Sequence, residues 1–475
     1  MKYIPTIGLE LHCALNTQSK VFSSAINSYN EIPNANIAVL DMAFPGTLPV
    51  LNKEAVRKAL RMSLALNCEV PEVLTFDRKN YYYPDLPKGY QITQSNKPIG
   101  INGYLDTLVD GKKERIYILD IHLEEDTASM DHYDDYSLID YNRAGSPLVE
   151  IVTKPCIHSA ESAVSYLETL RNTLKYCDIS DADTKMGQIR CDVNVSLAEE
   201  GTDELGTKVE IKNINSFSKV GSAIEYEIKR QTILLENNQK DKIIQETRRY
   251  DEDSNSTISM REKIESVDYK YFTEPNIPKF KLEKEYIESI KQELPILPFY
   301  RLEKYINEFN LSEEEATKLI KDKDISDYFD ECIKLNIDAK IASNWITVNI
   351  LSVLNKEDIS IKDFYMTPVM LKQIIDKIND KTISSKQAKE IFNKALEEKC
   401  EPKELIKDDM AQVNDEEAIR KIIKTIIDNN QQQVIAYRNG KDNLFKYFVG
   451  QVMKETKGKA NPVIANNILK EYLDK

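Results

Sequence analysis

Cysteine is sparse in this 475-residue sequence, and its seven copies are scattered without a CxxC pair. This spacing argues against a disulfide framework and against a structural zinc site. The first residues, MKYIPTIGLEL, contain no apolar signal segment, and no stretch approaches the length that crosses a membrane. With 41% apolar residues overall, these absences predict a soluble protein of the reducing cytoplasm that has no membrane partner.

Positive charge is also in deficit. The chain has 64 lysines and arginines against 78 aspartates and glutamates, which gives a formal net charge of −14. Such a charge disfavours indiscriminate binding of nucleic acid. A nucleic-acid partner would need a local basic surface, or metal ions that offset the repulsion.

Glycine is rare in the second half of the chain. Eleven of the fourteen glycines lie at or before Gly221, and none lies between Gly221 and Gly440. This distribution predicts a turn-rich α+β module followed by helical modules, and the length predicts two to four domains. We therefore expect an N-terminal antiparallel-sheet cradle domain over 1–293, an all-helical domain over 294–408 and a small helical tail domain over 409–475.

Five segments of the first module alternate apolar and polar residues with the period of a strand. They are residues 6–13, 116–125, 148–152, 190–196 and 208–212. Helical spacing instead marks residues 53–66, after a possible cap at Asn52, and residues 160–177, after Ser159. The pattern predicts an antiparallel sheet with one covered face and one open polar face.

Two of the four histidines stand in mirrored motifs on two of these strands. Glu10 and His12 are two residues apart, and so are His122 and Glu124. Because side chains alternate faces along a strand, each pair shares one side of the sheet. Two such strands side by side would gather carboxylates and imidazoles within a few ångströms, which is costly unless a cation neutralises them. The motifs predict a divalent-metal site, and oxygen-rich ligands favour Mg²⁺ or Mn²⁺.

A single Glu-x-His pair is more often an ordinary pair on a surface strand than a set of ligands. Two mirrored copies weaken that explanation, and further acidic residues follow on or beside the predicted strands: Glu125, Glu150, Asp192 and Glu210. The segment 76–94, predicted as a loop from its prolines and glycine, adds the cations Arg78, Lys79 and Lys88. The sequence has no GxxxxGK[ST], GxGxxG, GxSxG or HExxH motif. Carboxylates, histidines and nearby cations remain, and phosphoryl transfer is the reaction class that they favour.

The end of the chain reverses the overall charge. Residues 431–459 contain six cations against two acids, an excess of four. The cations are Arg438, Lys441, Lys446, Lys454, Lys457 and Lys459. A mild basic excess is more often incidental in a short helical domain, but the local change of sign favours a small surface for phosphate backbones.

Long motifs occur in a fixed order along nearly the whole chain. They are GLELHCALNTQSKVF, FPGTLPVLN, FDRKNYYYPDLPKGYQITQ, IHLEED, DYNRAGSPLVEIVTKP, GQIRCDVNVSL, KVEIKNINSF and DYKYFTEPNIP, with GKANPVIANNIL in the tail. In these motifs the chain resembles the B subunit of the glutamyl-tRNA(Gln)/aspartyl-tRNA(Asn) amidotransferases. The resemblance implies a carbon–nitrogen ligase that uses ATP and Mg²⁺ to phosphorylate the side-chain carboxylate of mischarged Glu-tRNA(Gln) or Asp-tRNA(Asn). Ammonia from a partner, the amidase subunit, would then displace the phosphate, and a third, small subunit would complete a heterotrimer.

The resemblance also implies roles for single residues. Residues on the metal and phosphoryl-transfer motifs are Glu10, His12, Glu124, Glu125, Glu150, Asp192 and Glu210, and the first five of these are the expected metal ligands. Expected contacts to the phosphates of ATP are Arg78, Lys79, Lys88, Arg143 and Arg190. The expected route for ammonia contains Lys79, Tyr81, Lys88, Glu125 and Asp192. The basic tail would touch the outer corner of the tRNA.

Two features depart from the family pattern. Many relatives carry paired cysteines that form a zinc site before the PGxLPVLN motif, whereas no cysteine lies between Cys13 and Cys68 here. We therefore expect no structural zinc. Lys270 and Thr273 replace the usual Arg and Pro of the YKYFTEP segment, which bears on the role of that loop alone.

Two other functions stay open at this point. The chain could be a non-catalytic scaffold that docks tRNA in the same assembly, or a free-standing metal-dependent phosphohydrolase. The identity of the aminoacyl-tRNA also stays open. So does the choice of metal ligand and base among the carboxylates, because paired carboxylates titrate jointly.

Overall fold

The computed structural model describes residues 3–28, 32–202, 204–262, 268–406, 416–456, 460 and 462–474. The chain divides into two compact units: Met1–Glu308 with Ile320–Lys323, and Phe309–Leu319 with Asp324–Lys475. All described strands lie in the first unit, and the described elements of the second are helical. The predicted α+β class is confirmed.

The first unit is built on one large sheet with smaller sheets beside it. Its strands are β1 (Tyr3–Ala14), β2 (Val73–Leu74), β3 (Asp77–Asn80), β4 (Tyr90–Thr93), β5 (Gly100–Ile101), β6 (Tyr104–Val109), β7 (Lys112–Glu125), β8 (Ser129–His132), β9 (Ser137–Asp140), β10 (Pro147–Thr153), β11 (Ile189–Glu199), β12 (Val209–Lys212), β13 (Glu246–Asp251), β14 (Ser256–Glu262), β15 (Phe272–Thr273) and β16 (Phe280–Lys281). The large sheet has the order β14-β13-β12-β11-β1-β10-β7-β5, and β6 also pairs with β7. The smaller sheets are β15-β3-β4, β16-β2 and β8-β9. The five strands predicted from alternation are confirmed as β1, β7, β10, β11 and β12.

The large sheet is mixed rather than wholly antiparallel. β12 and β13 run parallel, with Glu210 opposite Thr247, whereas the other pairings are antiparallel. The chain passes from β12 to β13 through a helix, α3 (Phe217–Glu236). A parallel pair needs such a crossover connection. The predicted antiparallel arrangement is therefore wrong at this one pair.

One face of the large sheet is apolar and covered by helices. Leu9 and Leu11 of β1 and Val193 of β11 are fully buried there. Helix α2 (Ala160–Tyr176) packs against β6, and α3 packs against β11 and α2. Because side chains alternate, the residues between these apolar ones lie on the opposite, polar face.

The two helices predicted in this region begin at the predicted caps. The Asn52 side chain accepts hydrogen bonds from the amides of Glu54 and Ala55 at the start of α1 (Lys53–Ala65). The Ser159 hydroxyl accepts one from the amide of Ser162 at the start of α2. Both caps satisfy amides that have no partner inside the helix.

The segment 76–94 is not the loop that its prolines and glycine suggested. Its two ends are β3 and β4, which pair antiparallel with Arg78 opposite Ile92. β3 reads DRKN and so lacks the alternation of apolar residues by which strands are recognised. This hairpin carries Lys79 and Tyr81 towards the polar face of the sheet.

The remaining helices follow the strands along the chain. They are α4 (Lys284–Gln292), α5 (Pro298–Asn307), α6 (Glu313–Ile320), α7 (Lys323–Lys334), α8 (Ala339–Asn344), a π-helix (Trp345–Ile350), α9 (Leu351–Glu357), α10 (Pro368–Asn379), α11 (Ser385–Glu398), α12 (Pro402–Leu405), α13 (Glu416–Asn429), α14 (Gln431–Arg438), α15 (Leu444–Glu455) and α16 (Pro462–Leu473). Short 3₁₀ turns occupy Lys240–Lys242 and Ile361–Asp363. None of the described helices combines the length and the apolar composition that a membrane crossing requires.

The last four helices pack around a core of their own. Ile419, Ile423, Phe448, Val452 and Leu469 are buried in it. The predicted boundary between residues 408 and 409 lies outside the described residues. The boundary predicted after residue 293 stays a prediction, and α5 belongs to the first unit.

Candidate active site on the polar face of the sheet

The two strands that carry the mirrored motifs are separated by β10. His12 of β1 lies opposite Glu150 of β10, and Glu150 in turn lies opposite His122 of β7. The expectation that β1 and β7 lie side by side is therefore wrong. Because β10 lies between β1 and β7, it places a third acidic residue, Glu150, between the two motifs.

Three side chains converge closely enough to share one metal ion. Ligand atoms of Glu10, His12 and Glu150 all lie within 4.8 Å of one another. The Glu124 carboxylate is nearby, with its Oε1 3.9 Å from His12 Nε2. Four of the predicted site residues, from three different strands, thus form one group, which we call the carboxylate cluster.

The pKa values of two carboxyl groups in the carboxylate cluster are raised. Burial, followed by the charge of Glu150, raises the pKa of Glu10 to about 7. The same two causes raise the pKa of Glu124 to about 8. Burial and the neighbouring Arg190 lower the pKa of His12, so its imidazole is neutral near pH 7, which is the form that binds metals.

This donor set fits Mg²⁺ or Mn²⁺. It offers carboxylate oxygens and one imidazole nitrogen, and oxygen-rich sets of this kind favour these ions. A divalent cation would also offset the charge of Glu150, which helps to raise the pKa values of both Glu10 and Glu124.

His122 lies outside the carboxylate cluster. Its Nε2 lies 2.9 Å from Asp120 Oδ1, and its Nδ1 lies 2.7 Å from the carbonyl oxygen of Gln94. Burial acts to lower the pKa of this imidazole, but the Asp120 carboxylate and other partners raise it overall. The predicted pair of imidazoles therefore reduces to one, because strand order and local partners take His122 out of reach.

A polar cavity of about 510 Å³ opens beside the cluster. Predicted site residues that line it are His12, Lys79, Tyr81, Glu124, Arg190 and Asp192. Lys212 also lines it, with its Nζ 2.5 Å from Asp192 Oδ2 and 3.4 Å from Glu210 Oε1. Cations thus stand next to the carboxylates, as an anionic substrate would require.

Lys79 is a predicted cation that lies near the carboxylates. Burial alone would lower the pKa of its amine, but Glu124 and Glu150 help to raise it overall. Its neighbour Arg78 points to the other side of β3. There the Arg78 guanidinium pairs with the buried Glu274 at 2.5 Å and lies over the Tyr90 ring at 4.0 Å.

Glu125 and Lys88 bind each other rather than the cluster. The Lys88 amine lies 2.5 and 2.6 Å from the two Glu125 carboxylate oxygens. The amide of Ile92 donates a further hydrogen bond to Glu125 at 2.9 Å. Glu125 is the last residue of β7, one position beyond Glu124, so alternation turns it away from the cluster.

The two other predicted arginines meet at Asp126, the last residue of the IHLEED motif. Arg190 donates to Asp126 at 3.2 Å, and Arg143 lies 3.6 Å from it. Arg143 also donates to the carbonyls of Thr127 and Ala128. Asp126 and Lys212 were not among the predicted site residues, although Asp126 directly follows the predicted strand 116–125 and Lys212 ends the predicted strand 208–212.

Glu210 and Arg438 of the basic tail have partners of their own. The Glu210 carboxylate accepts a hydrogen bond from Thr247 at 2.8 Å. In the tail, Arg438 donates to the carbonyls of Tyr472 and Leu473 at the end of α16. Lys441, Lys446 and Lys454 are exposed, whereas Lys457 and Lys459 lie outside the described residues.

Comparison with known proteins covers nearly the whole chain. Residues 5–288 match the family model described as the GatB/GatE catalytic domain, and residues 327–473 match the GatB domain. The chain belongs to the GatB family. The carboxylate cluster and its cavity lie within the stretch that matches the GatB catalytic domain.

Two curated GatB relatives match over their full length. The chain is 46% identical over 475 residues to the B subunit of the aspartyl/glutamyl-tRNA(Asn/Gln) amidotransferase of Persephonella marina, covering all of both chains. It is 45% identical over 478 residues to the protein of the same name from Halalkalibacterium halodurans, again over the whole of each. The family resemblance found in the motifs is confirmed.

Proposed function

We propose that this chain is the ATP-dependent subunit of an aminoacyl-tRNA amidotransferase. It would phosphorylate the side-chain carboxylate of mischarged Glu-tRNA(Gln) or Asp-tRNA(Asn) and convert the product into an amide with ammonia. The observation that supports this most is the carboxylate cluster beside a cavity edged by lysine and arginine, in the part that matches the family's catalytic domain. The names of the full-length relatives agree with it.

Glu10, His12 and Glu150, with Glu124 beside them, would hold Mg²⁺. When bound, the ion would supply a Lewis acid that polarises phosphate oxygens. Glu10 and Glu124 would then lose their protons, because the cation offsets the burial and repulsion that raise their pKa values.

The cations around the cavity would bind the phosphates of ATP. Lys79, Arg190 and Lys212 all line it, and positioned cations stabilise the charge that spreads over a phosphoryl group during transfer. Arg78, Arg143 and Lys88 are not among the residues that line the cavity, and each pairs with groups elsewhere in the chain. In this proposal they stabilise the walls of the site.

The reaction has two balanced steps. A carboxylate oxygen of the substrate bonds to the γ-phosphorus of ATP, and ADP leaves. The nitrogen of ammonia then bonds to the acyl carbon, the carbon–oxygen bond to phosphate breaks, and a carboxylate of the site takes the proton. Because an acyl phosphate hydrolyses readily, the cavity must exclude bulk water between the two steps.

The polar lining would pass ammonia to the acyl phosphate. Lys79, Tyr81 and Asp192 line the cavity, and the Lys88–Glu125 pair lies at the adjoining end of β7. Neutral ammonia can exchange hydrogen bonds with such groups as it moves. The ammonia would come from the partner amidase subunit, in a cytoplasmic heterotrimer that a third, small subunit completes.

The test is purification with the neighbouring subunits, followed by amidation of mischarged tRNA with ATP and glutamine. In that complex Glu150→Gln should lower the rate about 10²-fold or more, because it removes a charge from the cluster at unchanged size. Glu225→Gln, on the exposed surface of α3, is the matched control and should keep the wild-type rate.

The two other functions give different outcomes. Full amidation by the Glu150→Gln complex would support a docking scaffold and contradict the proposed chemistry. Rapid hydrolysis of ATP or phosphodiesters by the isolated chain, without tRNA, would support a phosphohydrolase.

A further inference from the structure

A row of tyrosines stands beside the carboxylate cluster. The rings of Tyr81 and Tyr269 meet edge-on with centroids 5.9 Å apart, and those of Tyr269 and Tyr271 with centroids 6.0 Å apart. Lys79 Nζ lies 4.9 Å from the centroid of the Tyr269 ring. We call Tyr81, Tyr269 and Tyr271 the tyrosine wall.

Strand pairing brings this wall together from two distant segments. β15 pairs with β3, Phe272 opposite Arg78, and the Asn80 amide donates to the Tyr269 carbonyl at 2.9 Å. Because side chains alternate, Lys79 and Tyr81 share the side that faces the cavity, and both line it. Arg78 points to the other side and binds Glu274.

The tyrosine wall extends from the carboxylate cluster to the exposed surface. After burial, the charges of Glu150 and Glu124 are among the causes that raise the pKa of Tyr271, so this phenol lies within electrostatic range of the cluster. Yet Tyr271 is 44% exposed, and Tyr82 next to Tyr81 is 92% exposed. Tyr83 and Phe272 are about half exposed as well. Several open rings at the edge of a polar site are typical of a binding surface.

The proposed substrate, an aminoacyl-tRNA, indicates which group the exposed rings bind. In an aminoacyl-tRNA the reacting amino acid is esterified to the last ribose, so the terminal base must lie one nucleoside away from the carboxylate cluster. Unpaired bases are commonly held by stacking on aromatic side chains, a contact that needs no phosphate charge. ATP presents one base, whereas several open rings in succession suit the consecutive bases of a single-stranded end.

We propose that the tyrosine wall and the open rings beside it stack the unpaired 3′-terminal bases of the aminoacyl-tRNA. The stacking holds the esterified amino acid over the carboxylate cluster. This inference rests on the proposed function and adds to it the residues that hold the end of the nucleic acid. It also explains how a chain with a net charge of −14 binds that end with few cations.

The experiment measures binding of uncharged tRNA to the whole complex, with and without its 3′-terminal adenosine. Wild type should bind the complete tRNA roughly tenfold more tightly than the trimmed tRNA, which is the range expected for one stacked base. Tyr271→Leu should abolish this difference, and Tyr271→Phe should keep it because the ring remains. The loss should persist at raised salt, since stacking releases no counterions.

Two further variants complete the design. Tyr82→Leu changes a side chain with almost no packing, so it folds normally and should weaken binding of the complete tRNA in the same direction. Tyr117→Leu removes an exposed tyrosine from the first half of β7 and should change neither affinity nor amidation.

Three results would overturn the inference. Tyr271→Leu could leave the dependence on the terminal adenosine intact, Tyr271→Phe could be as damaging as Tyr271→Leu, or Tyr271→Leu could raise the KM for ATP alone. The last result would assign the rings to the adenine of ATP. A wild-type complex that fails to amidate would instead count against the proposed function, because the binding measurement needs no catalysis.

Discussion

Glu150 influences several of its neighbours in the site. It lies opposite His12 on one side and His122 on the other, and its charge helps to raise the pKa values of both Glu10 and Glu124. A buried carboxylate that must share space with another carboxylate keeps a proton until a cation arrives. Binding of a divalent ion to this cluster would therefore release protons.

The same pKa shifts predict how stability varies with pH in the metal-free protein. Glu10 and Glu124 bind protons more tightly when folded, with pKa values of about 7 and about 8 against an ordinary value of 4.5. Between pH 4.5 and these values the folded state binds more protons than the unfolded state, so the free energy of unfolding falls as pH rises. We expect a decrease on the order of 1–3 kcal/mol between about pH 5 and about pH 8.

Urea unfolding in EDTA at both pH values measures this decrease. Glu10→Gln cannot lose a proton and should show a clearly smaller decrease than wild type. Equal decreases in the two proteins would show that the cluster is not the source.

At the level of single elements, strand order decides which residues meet. β10 enters between β1 and β7, and α3 carries the chain over to a parallel β13. The same crossover buries Glu227 of α3. Glu227 accepts hydrogen bonds from Arg230 at 2.6 Å, from Gln231 at 2.8 Å and from Thr257 at 3.1 Å.

A substitution in this buried network should lower the free energy of unfolding strongly and leave metal binding unchanged. Glu227→Gln removes an acidic partner from both Arg230 and Arg248, which also pair with Glu246. Breaking a buried pair by removing one partner typically destabilises by about 3–5 kcal/mol. Urea unfolding should show a loss of this order, and Mg²⁺ affinity should stay unchanged.

Glu225→Gln is again the control, two residues away on the exposed side of the same helix. It should change the free energy of unfolding by no more than about 0.5 kcal/mol. A similar loss in both variants would mean that helix propensity, rather than the buried network, explains the effect.

At the scale of the whole molecule, the carboxylate cluster and the basic tail belong to different units of the chain. The carboxylate cluster lies in the first unit, whereas the last four helices have their own core. Exposed lysines in the tail give a local positive excess in an acidic chain, which suits contact with a phosphate backbone.

Removal of the tail should therefore weaken the binding of tRNA and leave the binding of Mg²⁺ unchanged. Deleting residues 416–475 should weaken tRNA binding and reduce its dependence on salt, because phosphate contacts release counterions. Affinity for Mg²⁺ should stay at the wild-type value. Unchanged tRNA affinity at physiological salt would contradict the role proposed for the tail.

Much of this architecture follows from the sequence because its causes are local. Alternation marked the five strands of the large sheet that carry the site, and single polar residues marked helix starts. The predicted caps at Asn52 and Ser159 are both present. The Glu-x-His motifs pointed to the correct face, because alternation along a strand depends on the backbone of that strand alone.

Tertiary structure decided which of these residues share a site. The position of β10 beside β1 places Glu150 opposite His12. His122 instead contacts Asp120 and Gln94, and Glu125 pairs with Lys88. The pairing of β15 with β3 joined two segments that are far apart in the sequence into the tyrosine wall. Local sequence pattern determined on which face of the sheet each residue lies. Strand order and pairing depend on hydrogen bonds between distant segments, so only the tertiary structure determined which residues lie next to one another.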